Sequence, residues 1–303
     1  MSREQRKALD TLFRTGPLEI GGDHLQQRAV FTRMLTSRPL PNDVILTPGS
    51  LGGVPVLEIG IDGVAPKGTL LWFHGGFYVL GSARTSAALA SNVARRTGMK
   101  VISVDYRLAP EHPYPAALDD ALAAYRAVLD GSGDPGPAGV AVVGESAGAG
   151  LVAALLVSAR EHRLPMPAVG ILFSPYADLT LTGASMTTKT AVDPSFSPEA
   201  IAVRAKDYVG AADASDPLIS PVFADLRGLP PLLIQAGSNE LLLDDAVRLA
   251  ARAAADDVPV TLEVTPGVPH LFQAFAAMLE EGEAALRRVS DFLSAAFTSG
   301  ASR

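Results

Sequence analysis

AVVGESAGAGLVAALL, residues 141–156, places one glutamate and one serine between two apolar runs. A Gly-x-Ser-x-Gly string is weak evidence by itself, because Gly and Ser also serve as plain punctuation between core elements. Its surroundings say more. A serine nucleophile exposed on a sharp strand-to-helix turn needs a strand running in, small residues where strand and helix approach, and a helix leaving directly. GVAVVG supplies the strand, Ala147, Gly148 and Gly150 the small residues, and AGLVAALL the helix. The positive end of that helix dipole and its free N–H groups favour negative charge developing beside the serine. Ser146 is the candidate nucleophile.

Outward from this turn the chain alternates strand and helix. Strands are expected at 100–106, 139–144, 168–174, 230–237 and 258–264, and helices at about 84–97, 115–130, 146–161, 242–257 and 281–297. Near-continuous apolar strands separated by helices indicate an α/β protein whose parallel sheet is covered on both faces. Ahead of them, VILTP, VPVLEIGI and GTLLWFH form a β-rich, mostly antiparallel start, for eight strands in all. Residues 2–13 and about 22–37 carry spaced apolar residues among charges and read as two amphipathic helices. Between 178 and 215 the alternation breaks around one helix, SPEAIAVRAKDYVG, which marks an inserted cap segment.

Bulk properties exclude several classes. The chain has 303 residues, a formal net charge of -7 and no cysteine. No basic run exceeds Arg95-Arg96 or Arg287-Arg288, so a nucleic-acid partner lacks its electrostatic footprint. Disulfides, thiolate metal sites and a cysteine nucleophile are impossible. No metal site or cofactor motif is evident. The charged start MSREQRKALDTLFR lacks an apolar secretory core, and residues 138–157 contain too many glycines for a membrane span, so the expectation is a cytoplasmic protein with no membrane partner.

A serine nucleophile on this kind of turn is followed in the chain by an acid and then a histidine. Only His162 and His270 lie downstream. His162 sits at the far end of the helix that starts at Ser146, roughly 24 Å away by helical rise. His270, in TPGVPHLFQAF, follows a strand directly and is the candidate base. The acid belongs in GSNELLLDDA after the preceding strand. Glu240 is still in the loop, whereas Asp244 lies a turn later, so Glu240 is favoured with Asp244 as runner-up. Its role is to fix the imidazole tautomer and stabilise the imidazolium. His74-Gly75-Gly76 follows an early strand, and its bare N–H groups, with that of Ala147, are candidate oxyanion donors: Gly75, Gly76 and Ala147. His74 itself is expected to buttress that loop.

HGGFYVLGS, DYRLAPEHPYPAALDD (105–120), GESAG, SPVFADLRGLPPLLI (220–234) and PGVPH together resemble the bacterial hormone-sensitive-lipase-like branch of the α/β-hydrolases, across about residues 45–275. The resemblance implies the α/β-hydrolase fold, an N-terminal helical cap, and hydrolysis of short- to medium-chain carboxylic esters without a cofactor. It also implies a possible homodimer through the last edge strand, here residues 259–264. Two departures stand out. Phe77 replaces the family's common third glycine and should narrow the acyl side of the pocket. Glu240 stands where Asp is more usual, as in a subset of the family, which supports it over Asp244.

The expected organisation is therefore a helical cap segment at 1–43, a catalytic domain at 44–177 and 216–303, and the inserted cap segment at 178–215. Phe77 and Tyr78, with Phe13, Phe31 and Met34 from the cap and Tyr176 and Phe196, are candidates for lining the substrate pocket, each equally consistent with plain packing. Arg107, Glu111 and Asp119 are expected to form a structural ion-pair network, His112 to be structural and His24 to face solvent. Rival readings are a lactonase or arylformamidase on the same triad, or a non-catalytic ligand receptor, which the complete triad disfavours. A lipase with interfacial activation is disfavoured by the lack of a large apolar lid. Glu145 receives no role from the sequence.

Overall fold

The computed structural model describes residues 2–131 and 139–300. Eight strands form one sheet: β1 (Val44–Leu51), β2 (Val54–Ile61), β3 (Thr69–Phe73), β4 (Lys100–Val104), β5 (Val140–Glu145), β6 (Gly170–Phe173), β7 (Leu232–Gly237) and β8 (Val260–Thr265), in the order β1-β2-β4-β3-β5-β6-β7-β8. Only β2 pairs antiparallel, with β1 and with β4; every other pair is parallel. The expected antiparallel start therefore ends one strand earlier than the sequence suggested. GTLLWF becomes β3, which lies between β4 and β5 and pairs parallel with both, because helix α3 (Ala87–Thr97) carries the chain back to start β4 in the same direction.

Helices α3 and α9 (Glu280–Gly300) close an apolar layer against one face, with Trp72, Val143, Ile171 and Phe173 pointing into it. Helices α4 (Ala116–Asp130), α5 (Ala147–Glu161) and α8 (Leu243–Ala255) cover the other. Every residue of α5 from Ala147 to Ala159 is buried, as its all-round apolar sequence requires. No helix among the described residues is long and apolar enough to cross a membrane.

The segments expected to form a cap comprise α1 (Ser2–Arg14), α2 (His24–Thr36), a short α6 (Ser185–Thr188) and α7 (Pro198–Val209). Side-chain caps start two of these: Asp23 accepts the Gln26 N–H at 2.9 Å, and Ser197, followed by Pro198, accepts that of Ala200 at 3.2 Å. Arg204 of α7 donates to the Gly22 carbonyl, tying the two segments together. Arg28 of α2 donates to the carbonyls of Val79 and Ala109 at 2.7 and 2.8 Å and forms a bidentate pair with Glu111. These bonds hold the Glu111 carboxyl down at about 2.

That last contact corrects the expected network. Arg107 pairs with Asp120 at 2.8 Å, Glu111 pairs with Arg28, and Asp119 is exposed. The reason is helical phase: Asp120, at 8% exposure, lies on the inner face of α4, and Asp119 on the outer. His24, expected to face solvent, stands 3.5 Å from Glu111, and His112 is exposed.

Candidate active site

β5 runs into Ser146, whose backbone is held at φ 53°, ψ −115°. A residue other than glycine in that region is strained and persists only where its surroundings over-determine it. Two close approaches do so. A Cβ at Gly144 would lie 2.2 Å from the Gly148 carbonyl oxygen, and one at Gly148 would lie 2.0 Å from that of Phe73. Only glycines let the strand, the helix and β3 meet this tightly. Ser146 donates its N–H to the Phe173 carbonyl at 2.8 Å, and as the residue before α5 it leaves the Ala147 N–H without an intrahelical acceptor.

The His74-Gly75-Gly76 loop lies against this turn: a Cβ on Gly75 would stand 3.3 Å from the Ser146 Cβ. Gly76, Phe77 and Tyr78 all have positive φ, at 117°, 58° and 62°. His74 is fully buried, stacks on Tyr106 with centroids 4.1 Å apart, and approaches the Gly75 carbonyl through Nδ1 at 2.8 Å. The Tyr106 hydroxyl donates to the His74 carbonyl at 2.7 Å. Burial pulls the His74 imidazole below its ordinary range, against the Gly75 carbonyl and the Asp105 charge.

Glu240 and His270 are brought together. Glu240 is 0% and His270 4% exposed, and their Oε2 and Nδ1 atoms are 2.5 Å apart. Glu240 Oε1 also accepts the Gly237 N–H at 2.6 Å and the Ser174 hydroxyl at 3.1 Å. His270 Nε2 is buried and has no protein partner among the described residues. The runner-up Asp244 turns away, its Oδ2 accepting the Ser185 N–H at 2.9 Å. The next residue, Asp245, accepts the N–H groups of Ala177 and Asp178. His162 bonds the Ser158 carbonyl at 2.8 Å at the end of α5, remote from the site.

Of the proposed lining residues, four converge. Phe77 packs edge-on against Phe196 at 5.0 Å and Tyr176 at 5.4 Å, Phe196 packs edge-on against the His270 ring at 5.0 Å, and Tyr78 lies beside Tyr176. Of the N-terminal candidates, Phe31 packs on the same core cluster that holds Phe77, Tyr78 and Tyr176, whereas Phe13 lies apart. Phe13 packs on Phe275 in a separate cluster with Leu9, Val268 and Phe272, Phe31 packs partly buried against the main core, and Met34 is exposed on α2. Met34 and Leu35 are both outward-facing, so α2 buries a narrower stripe than its apolar content suggested.

Three residues at the site had no assigned role in the sequence. Ser174, immediately after β6, donates to Glu240 and accepts the Leu271 N–H at 3.2 Å; its place at the carboxyl end of a parallel strand is the one signal that could have found it. Asp193 accepts the Leu241 N–H at 2.7 Å. Glu145, buried beneath the turn, accepts the Trp72 indole N–H at 2.6 Å. Burial pushes its carboxyl up to about 7, against Ser86, Trp72 and the His270 charge. Among the described residues no group of His, Asp and Glu could hold a metal ion.

Comparison with known proteins agrees with this fold. A family model described as alpha/beta hydrolase fold matches residues 70–274. An acetyl-hydrolase of Streptomyces hygroscopicus is 41% identical over 77% of each chain, and an esterase of Acinetobacter venetianus is 39% identical over 88% of this chain and 87% of its own. Among solved structures, an esterase from the bacterial hormone-sensitive lipase family superposes with a TM-score of 0.92 at 40% identity, covering 97% of this chain and 98% of its own. EstE5, soaked with p-nitrophenyl butyrate, superposes with a TM-score of 0.91 at 38% identity, over 97% and 99%. The chain belongs to the α/β-hydrolase family, in its bacterial hormone-sensitive-lipase-like branch.

Proposed function

We propose that this α/β-hydrolase is a serine carboxylesterase acting on short- to medium-chain esters through an acyl-enzyme. The observation that carries the reading is the buried Glu240–His270 pair, at 2.5 Å with Nε2 left unpartnered, tied through Phe173 and Ser174 at the end of β6 to the strained Ser146 turn. Ser146 Oγ attacks the ester carbonyl while His270 Nε2 takes its proton. Glu240 holds Nδ1–H and stabilises the imidazolium. The oxyanion is received by the N–H groups of Gly75, Gly76 and Ala147. His270 then gives the proton to the leaving alcohol, and water, deprotonated by the same imidazole, releases the acid. Phe77, Tyr176 and Phe196 form an aromatic wall that supports a short acyl preference, in keeping with the acetyl-hydrolase among the relatives. Among the described residues strand β8 ends the sheet with one edge unpaired, which suits it to pairing with a second copy.

A fluorophosphonate probe tests the reading. It should label the enzyme stoichiometrically and fail on Ser146→Ala; a folded, unsubstituted protein that does not label refutes it. Rates on p-nitrophenyl esters of increasing length, with a lactone alongside, then test the acyl preference, and a long-chain optimum would contradict the role given to the aromatic wall.

A further inference from the structure

The segment between β6 and β7 sends one carboxyl back into the site. Asp193 is 4% exposed. Its Oδ2 accepts the N–H of Leu241, the residue after Glu240, at 2.7 Å, and its Oδ1 accepts the N–H groups of Ser195 at 2.7 Å and Phe196 at 3.2 Å. Phe196, placed by that turn, presents its ring edge-on to both His270 and Phe77. No Lys or Arg pairs with Asp193 among the described residues. A buried carboxylate without a cation is costly unless N–H donors satisfy it, and here the donors belong to the two stretches of chain that flank the imidazole.

We propose that Asp193 is a positioning residue for the reaction: through the N–H groups of Leu241, Ser195 and Phe196 it couples the seating of the inserted segment to the placement of Glu240 and His270. The acid, the base and the aromatic wall are then held in place together by one carboxylate. The inference rests on Ser146, His270 and Glu240 being the triad, and the labelling experiment above tests that separately.

The charge of Asp193 also bears on the base. Glu240 after β7 bonds His270 directly, and the carboxyls of Asp193, between β6 and β7, and of Glu145, at the end of β5, lie close enough to interact with its charge. Burial raises the Asp193 carboxyl above the ordinary aspartate range, opposed by the Leu241 and Ser195 N–H groups and by the His270 charge. A negative charge near an imidazole favours its protonated form, so neutralising Asp193 moves the acid limb of activity to lower pH.

The test compares Asp193→Asn and Asp193→Glu with the unsubstituted chain on p-nitrophenyl acetate, with active sites counted by fluorophosphonate so that kcat is per labelled serine. Asp193→Asn should lower kcat per site by about 10- to 100-fold, the scale of a small misplacement of catalytic groups, and shift the acid limb of kcat/KM to lower pH. Asp193→Glu should lower kcat while leaving that limb in place, because the charge remains. If Asp193→Asn keeps kcat per site within about twofold and the limb unmoved, the proposal is wrong even if the variant melts earlier, since Asp193 then only braces the fold. If Asp193→Asn does not fold, Asp193→Glu decides: an unchanged kcat per site overturns the proposal. An unsubstituted protein that does not label overturns the triad reading and this inference with it.

Discussion

Replacing Glu145 by Gln should change how stability depends on pH, by an amount that follows from the burial of one carboxyl. Glu145 is 8% exposed, bonds the Trp72 indole, and holds its proton up to about pH 7 instead of the ordinary 4.5. Below about pH 4.5 the carboxyl is neutral in both folded and unfolded chains and contributes no pH dependence. Between there and about pH 7 the unfolded chain gives up its proton while the folded chain keeps it, so stability falls as pH rises, by about 3 kcal/mol over the window. Gln has no proton to hold and lacks this loss. Its altered contacts with Trp72 shift stability equally at every pH and cancel in the comparison. Reversible urea unfolding of both proteins at about pH 4.5 and about pH 7.5 should therefore show the variant gaining about 3 kcal/mol relative to the parent. A relative change below about 1 kcal/mol would mean that Glu145 ionises normally inside the fold, and the account of its burial would be wrong.

Three further outcomes are expected. Glu240→Gln should lower kcat by about 100-fold or more with KM nearly constant in steady-state assays, because the tautomer and the imidazolium lose their partner in the transition state. Phe77→Gly removes the ring that meets Phe196 and Tyr176 and suits the positive φ at that position; the ratio of octanoate to butyrate ester rates should rise about 10-fold or more. Gly148→Ala forces a Cβ to within 2.0 Å of the Phe73 carbonyl oxygen, and urea titration should show a loss of more than about 3 kcal/mol or no folded protein at all.

Local pattern made most of the sheet and the pairing of Glu240 with His270 legible before any coordinates. The apolar runs that became β4 to β8 are short, Val- and Leu-rich and bounded by Gly or Pro, and each is buried along most or all of its length except β8 at the edge. Chain order and loop position favoured Glu240 over Asp244 and His270 over His162, and Glu240 and His270 are the two that the fold pairs. What stayed hidden depends on phase and partner choice. One residue of phase on α4 decided Asp120 over Asp119 for Arg107, and pairing order, which hydropathy does not encode, put β3 inside the sheet. Phe13 and Met34 carried a helical pattern that says a face is buried without saying against what.

The same limit explains why Ser174 was silent. Its sequence context, FSPYAD, reads only as a turn after a strand. In the fold its backbone takes φ 44°, its N–H bonds the Gln235 carbonyl at 2.7 Å, and its hydroxyl bridges Glu240 and the Leu271 N–H. The preceding residue, Phe173, accepts the Ser146 N–H. The end of β6 thus touches the stretches of chain that carry the candidate nucleophile, acid and base within two residues, and Asp193 ties the segment between β6 and β7 to the loop that carries Glu240. A nucleophile motif is local because its strain is local. The groups that hold an acid and a base in register come from different strands, so they become visible only once the strand order β5-β6-β7-β8 is known.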